Sequence, residues 1–118
     1  MSGIVEPNFS TDSGVVTRSP GAAKGWCNIT TTGSIQGGVG YPNNYNIASI
    51  TDTGTGNRTI NWDTDFSSTV YSVVSGAPLD DSCTYAYFTF AVGSVRHQTM
   101  VADSVVDRSS SSVAFGDQ

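Results

Sequence analysis

Beyond position 25, apolar and polar residues alternate in a way that predicts a series of short β-strands. In the segment RTINWD, Ile60 and Trp62 fall on one face, while Thr59, Asn61 and Asp63 fall on the other. A period of two residues is typical of a half-buried strand. Comparable runs, separated by turn-forming Gly, Asn, Asp and Ser, follow one another at intervals of about 8–12 residues. We therefore predict about seven to eight short strands, arranged as an antiparallel β-sandwich or a closed barrel.

The predicted strands differ in how apolar they are, and one pair is predicted to form a hairpin. YNIASIT and RTINWD flank the turn DTGTGN, a pattern that favours a hairpin. The Gly- and Asn-rich segment TTGSIQGGVGYPNN is predicted to be a long loop with a short strand around Ile35, and ADSVVDRSS is predicted to be a loop. The remaining predicted strands are GWCNIT, TVYSVVSG, CTYAYFTFAV, SVRHQTMVA and SSVAFGD.

Residues 1–24 lack this pattern and are predicted to form an extended N-terminal arm ahead of a β-domain at 25–118. Pro, Gly and Ser interrupt the segment, so no period of 2 or 3.6 residues is sustained. The arm is more apolar than an ordinary flexible linker. The sequence leaves two alternatives for this segment: a disordered terminus, or an arm that packs on a neighbouring subunit. In the second case, the anchoring residues would be Ile4, Val5, Phe9, Val15 and Val16.

The composition supports an all-β protein and excludes several functional classes. Thirteen Val and six Ile stand against one Leu, one Glu and one Lys, so the β-branched residues greatly outnumber the strong helix formers. The net charge of -5 argues against nucleic-acid binding, which needs a basic surface. We expect no membrane partner, because no apolar run approaches the roughly 18 residues of a membrane span.

Candidate catalytic and metal-binding residues are sparse, and we expect neither an enzyme nor a cofactor. Asp52–Thr53–Gly54 matches the triplet of aspartic proteases, but its polar flanks favour an exposed hairpin turn. His97 is the only histidine and is predicted to lie at the surface or in a subunit contact. With two cysteines and that one histidine far apart, a zinc site lacks ligands. Cys27 and Cys83 are predicted to be free thiols, although a disulfide between them stays open.

Several segments of the β-domain resemble a domain that recurs in tail fibres and other virion proteins of tailed phages, especially marine and cyanobacterial ones. The resemblance covers some 90 residues, and its most specific part is the hairpin. The matching segments are Gly25–Ile29, the hairpin Ser49–Trp62, the strand Val70–Val73 and the closing strand Ser112–Asp117. Gly25 and Cys27 depart from the family pattern, which has Ala and an aliphatic residue there.

The resemblance implies a virion structural protein, made in the host bacterial cytoplasm and carried in the particle. Its partners would be other phage virion proteins of the capsid or tail. The chain itself would form a homo-oligomer, and we expect a trimer. We expect a capsid decoration or cement-type subunit anchored by its arm. The alternative is a tail-fibre or tail-tip module that binds a host surface glycan. Aromatic rings stack on sugars, and Tyr41 and Tyr45 in the long loop would then be the contact residues.

Overall fold

The computed structural model describes residues 21–76 and 84–118, and these form an all-β fold. Within them there are eight strands and no helix, so the predicted fold class is confirmed. No helix in this part of the chain has the length and apolarity needed to cross a membrane. The strands are β1 Gly25–Ile29, β2 Ile47–Gly54, β3 Asn57–Trp62, β4 Ser72–Gly76, β5 Thr84–Ala91, β6 Ser94–Val101, β7 Ser104–Val105 and β8 Ser110–Phe115.

The strands divide into two separate sheets, which makes the fold a sandwich rather than a barrel. One sheet has three strands in the order β1-β8-β4, and every pair in it is antiparallel. The other runs β2-β3-β6-β5, with the short β7 paired to β6, and is also antiparallel. The predicted hairpin is the β2–β3 pair, with Ile50 opposite Ile60.

The core lies between the sheets and is built from alternate residues of each strand. On β3, Arg58, Ile60 and Trp62 point inward, while the residues between them are only partly buried. The predicted alternation of this strand is therefore confirmed. The buried apolar residues of the core are Cys27, Ile29, Ile47, Ile60, Trp62, Phe66, Tyr71, Val95 and Ala114.

Four aromatic side chains form one cluster at the end of the core near the β5–β6 turn. The Phe66 and Tyr71 rings stack with their centroids 4.0 Å apart, and Trp62 meets Phe66 edge-on at 5.4 Å. Phe90 contacts Tyr71 edge-on at 5.1 Å. The Trp62 indole N–H donates to the Tyr71 hydroxyl at 3.2 Å, and that hydroxyl lies 2.8 Å from two backbone carbonyl oxygens. Burial raises the pKa of Tyr71, and the hydrogen bond from Trp62 opposes that rise.

Two local features differ from the sequence predictions. The short strand expected around Ile35 is a single bridge between Ile35 and Ile29. The segment predicted as a loop after β6 contains β7, because the chain reverses tightly at Ala102 and Asp103. Both residues have positive φ, at 49° and 71°. A turn of this kind usually carries glycine or asparagine, so the sequence gives no hairpin signal there.

Gly56, in the β2–β3 turn, is the glycine at which we expect a side chain to be least tolerated. Its φ of +68° disfavours any L-residue, and an added Cβ would lie 2.7 Å from the Val106 carbonyl oxygen and 2.8 Å from that of Thr99. We expect Gly56→Ala to lower the free energy of unfolding by about 2–3 kcal/mol.

Gly38 provides a matched control for this prediction. Its φ is +82°, but no atom lies within 4 Å of an added Cβ. Gly38→Ala therefore carries only the conformational strain, about 1 kcal/mol. Urea unfolding of both variants checks the comparison. Equal losses in the two variants would mean that crowding at Gly56 contributes nothing.

Candidate functional site

An open cleft of about 660 Å³ lies at one end of the long loop between β1 and β2. One wall is the long loop between β1 and β2, and the other is the segment that follows β3. Gln118 also lines the cleft. The other lining residues include Tyr41, Tyr45, Asn46, Asp63 and Thr64. The cleft therefore contains both of the tyrosines that the sequence suggested as glycan contacts.

The loop that carries Tyr41 is held in shape by two asparagines. Asn44 is 1% exposed; its side-chain amide donates to the Gly38 carbonyl oxygen at 2.7 Å and accepts from the Gly40 N–H at 2.9 Å. Asn43 donates to the Gly37 carbonyl oxygen at 2.7 Å. Gly37, Gly38 and Gly40 all have positive φ, a conformation that glycine adopts without steric cost. The Gly- and Asn-rich composition thus builds a fixed loop.

Asn46 joins the two walls of the cleft. It adopts a left-handed conformation with φ 60°, which asparagine tolerates better than most residues. Its side-chain amide donates to the carbonyl oxygens of Lys24 and Thr64 at 2.9 and 3.0 Å, and it accepts from the Thr64 N–H at 2.5 Å. Gln118 adds a further hydrogen bond to the Thr64 carbonyl oxygen at 3.1 Å. The cleft is therefore braced by contacts between segments far apart in sequence.

The two tyrosines occupy different positions in the cleft. Tyr41 precedes a cis peptide bond to Pro42, and 81% of its surface is exposed. Tyr45 is half-buried, and its backbone exchanges two hydrogen bonds of 3.0 Å with Trp26 of β1. Tyr41 can therefore present a ring face to a ligand, while Tyr45 contributes to the wall.

The side chains that line the cleft are neutral apart from one carboxylate. Asp63 is the one lining residue with a carboxylate side chain, and it is exposed. Within residues 21–76 and 84–118, no group of three or more His, Cys, Asp or Glu is placed to hold a metal ion. The side chains of the cleft offer one exposed aromatic face, one carboxylate and several amides and hydroxyls.

The outer face of the three-stranded sheet is a second candidate surface. A single cross-strand row on this face consists, in order, of Tyr45, Trp26, Val113 and Val74, each paired with the next. We call this set the outer row. Tyr45, Trp26 and Val113 are half-buried, and Val74 is 57% exposed. Val70, just before β4, is also largely exposed. The outward positions of the three strands also include serines, an asparagine and a glycine, but no charged residue.

A buried arginine that the sequence analysis overlooked lies at the other end of the core. Arg58 is fully buried, and its guanidinium donates to the carbonyl oxygens of Thr31 and Arg108 at 2.6 and 3.0 Å. It also pairs with the Asp107 carboxylate at 3.2 Å, while Asp52 lies 4.0 Å away. The strand alternation could have found it, because position 58 shares a face with Ile60 and Trp62.

The prediction that His97 lies at the surface is wrong, because His97 is fully buried. It sits on the inner face of β6, directly opposite Arg58, and its ring stacks on Tyr85 at 5.7 Å. Burial lowers the pKa of His97 to about 4, and the Arg58 charge adds to the effect. The polar neighbours Arg96 and Gln98 in the sequence suggested exposure, but in a strand they belong to the opposite face.

The remaining candidate residues are placed as follows. Cys27 is a free, buried thiol, and burial raises its pKa to about 12. Asp52, Thr53 and Gly54 are exposed at the end of β2, as predicted for a hairpin rather than a protease site. Cys83 and the predicted anchor residues Ile4, Val5, Phe9, Val15 and Val16 lie outside the described residues.

Comparisons with known protein families, with curated proteins and with solved structures found no match to this chain.

Proposed function

We propose that this chain is a small structural subunit of a tailed-phage virion, of the capsid decoration or cement type. The observation that supports the proposal is the outer row, an apolar strip of three half-buried side chains and the exposed Val74. The resemblance of the β-domain to virion proteins is the reason for proposing a phage particle as its location. The arm at residues 1–24 is proposed as a second attachment, through Ile4, Val5, Phe9, Val15 and Val16.

The two sheets differ in a way that favours contact through the outer row. The outward positions of β3 in the larger sheet are polar; there Asn61 donates to the hydroxyls of Ser49 and Thr51, both at 3.0 Å. The outer row has aromatic and aliphatic side chains instead. Fully burying one valine such as Val74 stabilises a contact by about 1.5–3 kcal/mol. An exposed apolar strip beside a polar surface is typical of an interaction site.

The proposed occupant of this face is a second copy of the chain, within a homotrimer. A net charge of -5 makes copies repel one another, and contact through an uncharged face keeps that repulsion small. The trimer itself follows from the family resemblance.

We expect sedimentation velocity at micromolar concentration to give a trimer for the natural chain and a monomer for Val74→Asp. The substitution would place a carboxylate in the middle of the proposed contact, where it would lose its water. Val92→Asp is the matched control, because Val92 is also an exposed valine but lies on the β5–β6 turn. The control should remain trimeric. A natural chain that is monomeric, or a control that dissociates equally, would contradict the proposed contact.

Quantitative mass spectrometry of purified particles tests the proposed function itself. For a phage that encodes this chain, we expect the protein in the particle at a copy number comparable to that of the capsid subunits. Absence of the chain from purified particles would overturn the virion proposal.

A role as a tail-tip module that binds host glycan is the second candidate. The observation that favours it is the convergence of Tyr41 and Tyr45 on one cleft. The copy number separates the two roles, because a tail component would be present far fewer times than a capsid decoration.

A further inference from the structure

We infer that the cleft between the β1–β2 loop and the Asp63–Thr64 segment is a binding site for a neutral saccharide. The inference concerns the ligand of the second candidate role; it does not require the proposed self-association, although Tyr45 belongs to both the cleft and the outer row. Four observations support it. They are the exposed aromatic ring of Tyr41, the hydrogen-bonding groups that line the cleft, the charge of the cleft and the hydrogen bonds that fix its walls.

Tyr41 provides the platform on which a sugar ring would stack. Most of its surface is exposed, although tyrosine usually buries much of its large apolar ring. The backbone of the loop that carries it is fixed by the buried Asn44, and Tyr41 lines the cleft. The C–H face of a pyranose is apolar and flat enough to cover an aromatic ring.

Hydrogen-bonding groups border the platform where sugar hydroxyls would lie. The Asp63 carboxylate makes no ion pair or hydrogen bond with the described residues, so its oxygens are available to accept from two hydroxyls. Gln118 uses its N–H to bind the Thr64 carbonyl oxygen, which leaves its own side-chain oxygen as an acceptor. A carboxylate and an amide beside an aromatic ring match the alternating apolar and hydroxyl surfaces of a sugar.

The charge of the cleft selects a neutral ligand. Asp63 contributes a negative charge, and no lysine or arginine lines the cleft to offset it. The chain as a whole carries a net charge of -5. A uronic acid, a sialic acid or a phosphorylated sugar would meet a like charge at short range, which is unfavourable.

The size and bracing of the cleft set the expected affinity. A volume of about 660 Å³ accommodates a mono- or disaccharide. Because the contacts of Asn44 and Asn46 already fix the walls, binding needs little reorganisation. The cleft is open on one side and covers only part of a ligand, so we expect a Kd of about 1 mM for a single sugar.

The test is an NMR titration of the full, isotopically labelled chain. The probes are methyl α-glucoside, methyl α-mannoside, methyl β-galactoside and N,N′-diacetylchitobiose, with glucuronic acid as the charged counterpart. We expect at least one neutral probe to shift amide signals of residues 39–48, 63–64 and 118, and glucuronic acid to leave them unchanged. No shift with any neutral probe, or shifts confined to other surfaces, would overturn the inference.

Four variants, at Tyr41, Asp63 and Asp65, identify the groups responsible. Tyr41→Ala should weaken binding of the active probe at least tenfold, while Tyr41→Phe, which keeps the ring, should stay within about threefold. Asp63→Asn should weaken binding, and Asp65→Asn, which removes an exposed carboxylate outside the cleft, should not. Unchanged affinity in Tyr41→Ala would overturn the stacking platform. Because all three substituted side chains are exposed, the fold is expected to survive, and an amide spectrum like that of the natural chain verifies it.

Discussion

Trp62→Ala is expected to lower the free energy of unfolding by about 3–5 kcal/mol, the largest effect of any single change considered for this chain. Trp62 is 5% exposed and contacts both Phe66 and Tyr71 in the aromatic cluster. Removing the indole opens a cavity between the sheets and takes away the N–H that donates to the Tyr71 hydroxyl. A loss of this size is a large part of the stability of a domain of this length.

Urea unfolding followed by far-UV circular dichroism measures this loss, and Trp26→Ala is the matched control. Trp26 lies in the outer row and is only half-buried, so its truncation should cost about 1 kcal/mol. If Trp62→Ala leaves too little folded protein to measure, Trp62→Phe keeps part of the ring and should still lose more than Trp26→Ala. Similar losses for the two tryptophans would contradict the assignment of Trp62 to the core.

Acidification from pH 7 to pH 4 is expected to remove about 3 kcal/mol of stability through His97 alone. The pKa of His97 is lowered to about 4 in the folded chain, against 6.5 as its ordinary value. As the pH falls below 6.5, the unfolded chain takes up a proton at this imidazole while the folded chain does not. The unfolded state is therefore favoured progressively until the pH reaches the folded pKa.

Comparison with His97→Phe isolates this contribution from that of the carboxylates. Phenylalanine keeps an aromatic ring that can stack on Tyr85 but cannot titrate. Its free energy of unfolding at pH 7 will itself differ, so the informative quantity is the change between pH 7 and pH 4. We expect that change to be about 3 kcal/mol smaller in the variant. Equal changes in the two proteins would mean that His97 protonates alike in the folded and unfolded chains.

The fold was predictable from the sequence because strand alternation and turn residues act locally. The spacing places Ile60 and Trp62 on one face of a half-buried strand, and both are buried. The same spacing places Arg58 on that face, but a charged side chain is usually assumed to be exposed. Its burial depends on Asp107 and on carbonyl groups some 27 and 50 residues away in the chain. His97 was misplaced for the same reason.

The candidate site was only half predictable. Tyr41 and Tyr45 stand in a Gly- and Asn-rich loop, and that composition correctly suggested a surface loop. Nothing in the sequence links that loop to Asp63 or Gln118, because the link is made by Asn46 across 18 residues to Thr64. Tertiary hydrogen bonds of this kind leave no periodic signature, so a cleft made from distant segments is found only in the folded structure.

One tryptophan lies in the core and the other on the outer face, so the two are intrinsic fluorophores that report on different events. Trp62, enclosed by the aromatic cluster, should emit at short wavelength and shift to the red only on unfolding. Trp26, half-exposed in the outer row, should respond to whatever comes to lie on that face while the fold stays intact. A Trp62→Phe chain would therefore make its emission spectrum a direct reading of surface contact, with no dye attached.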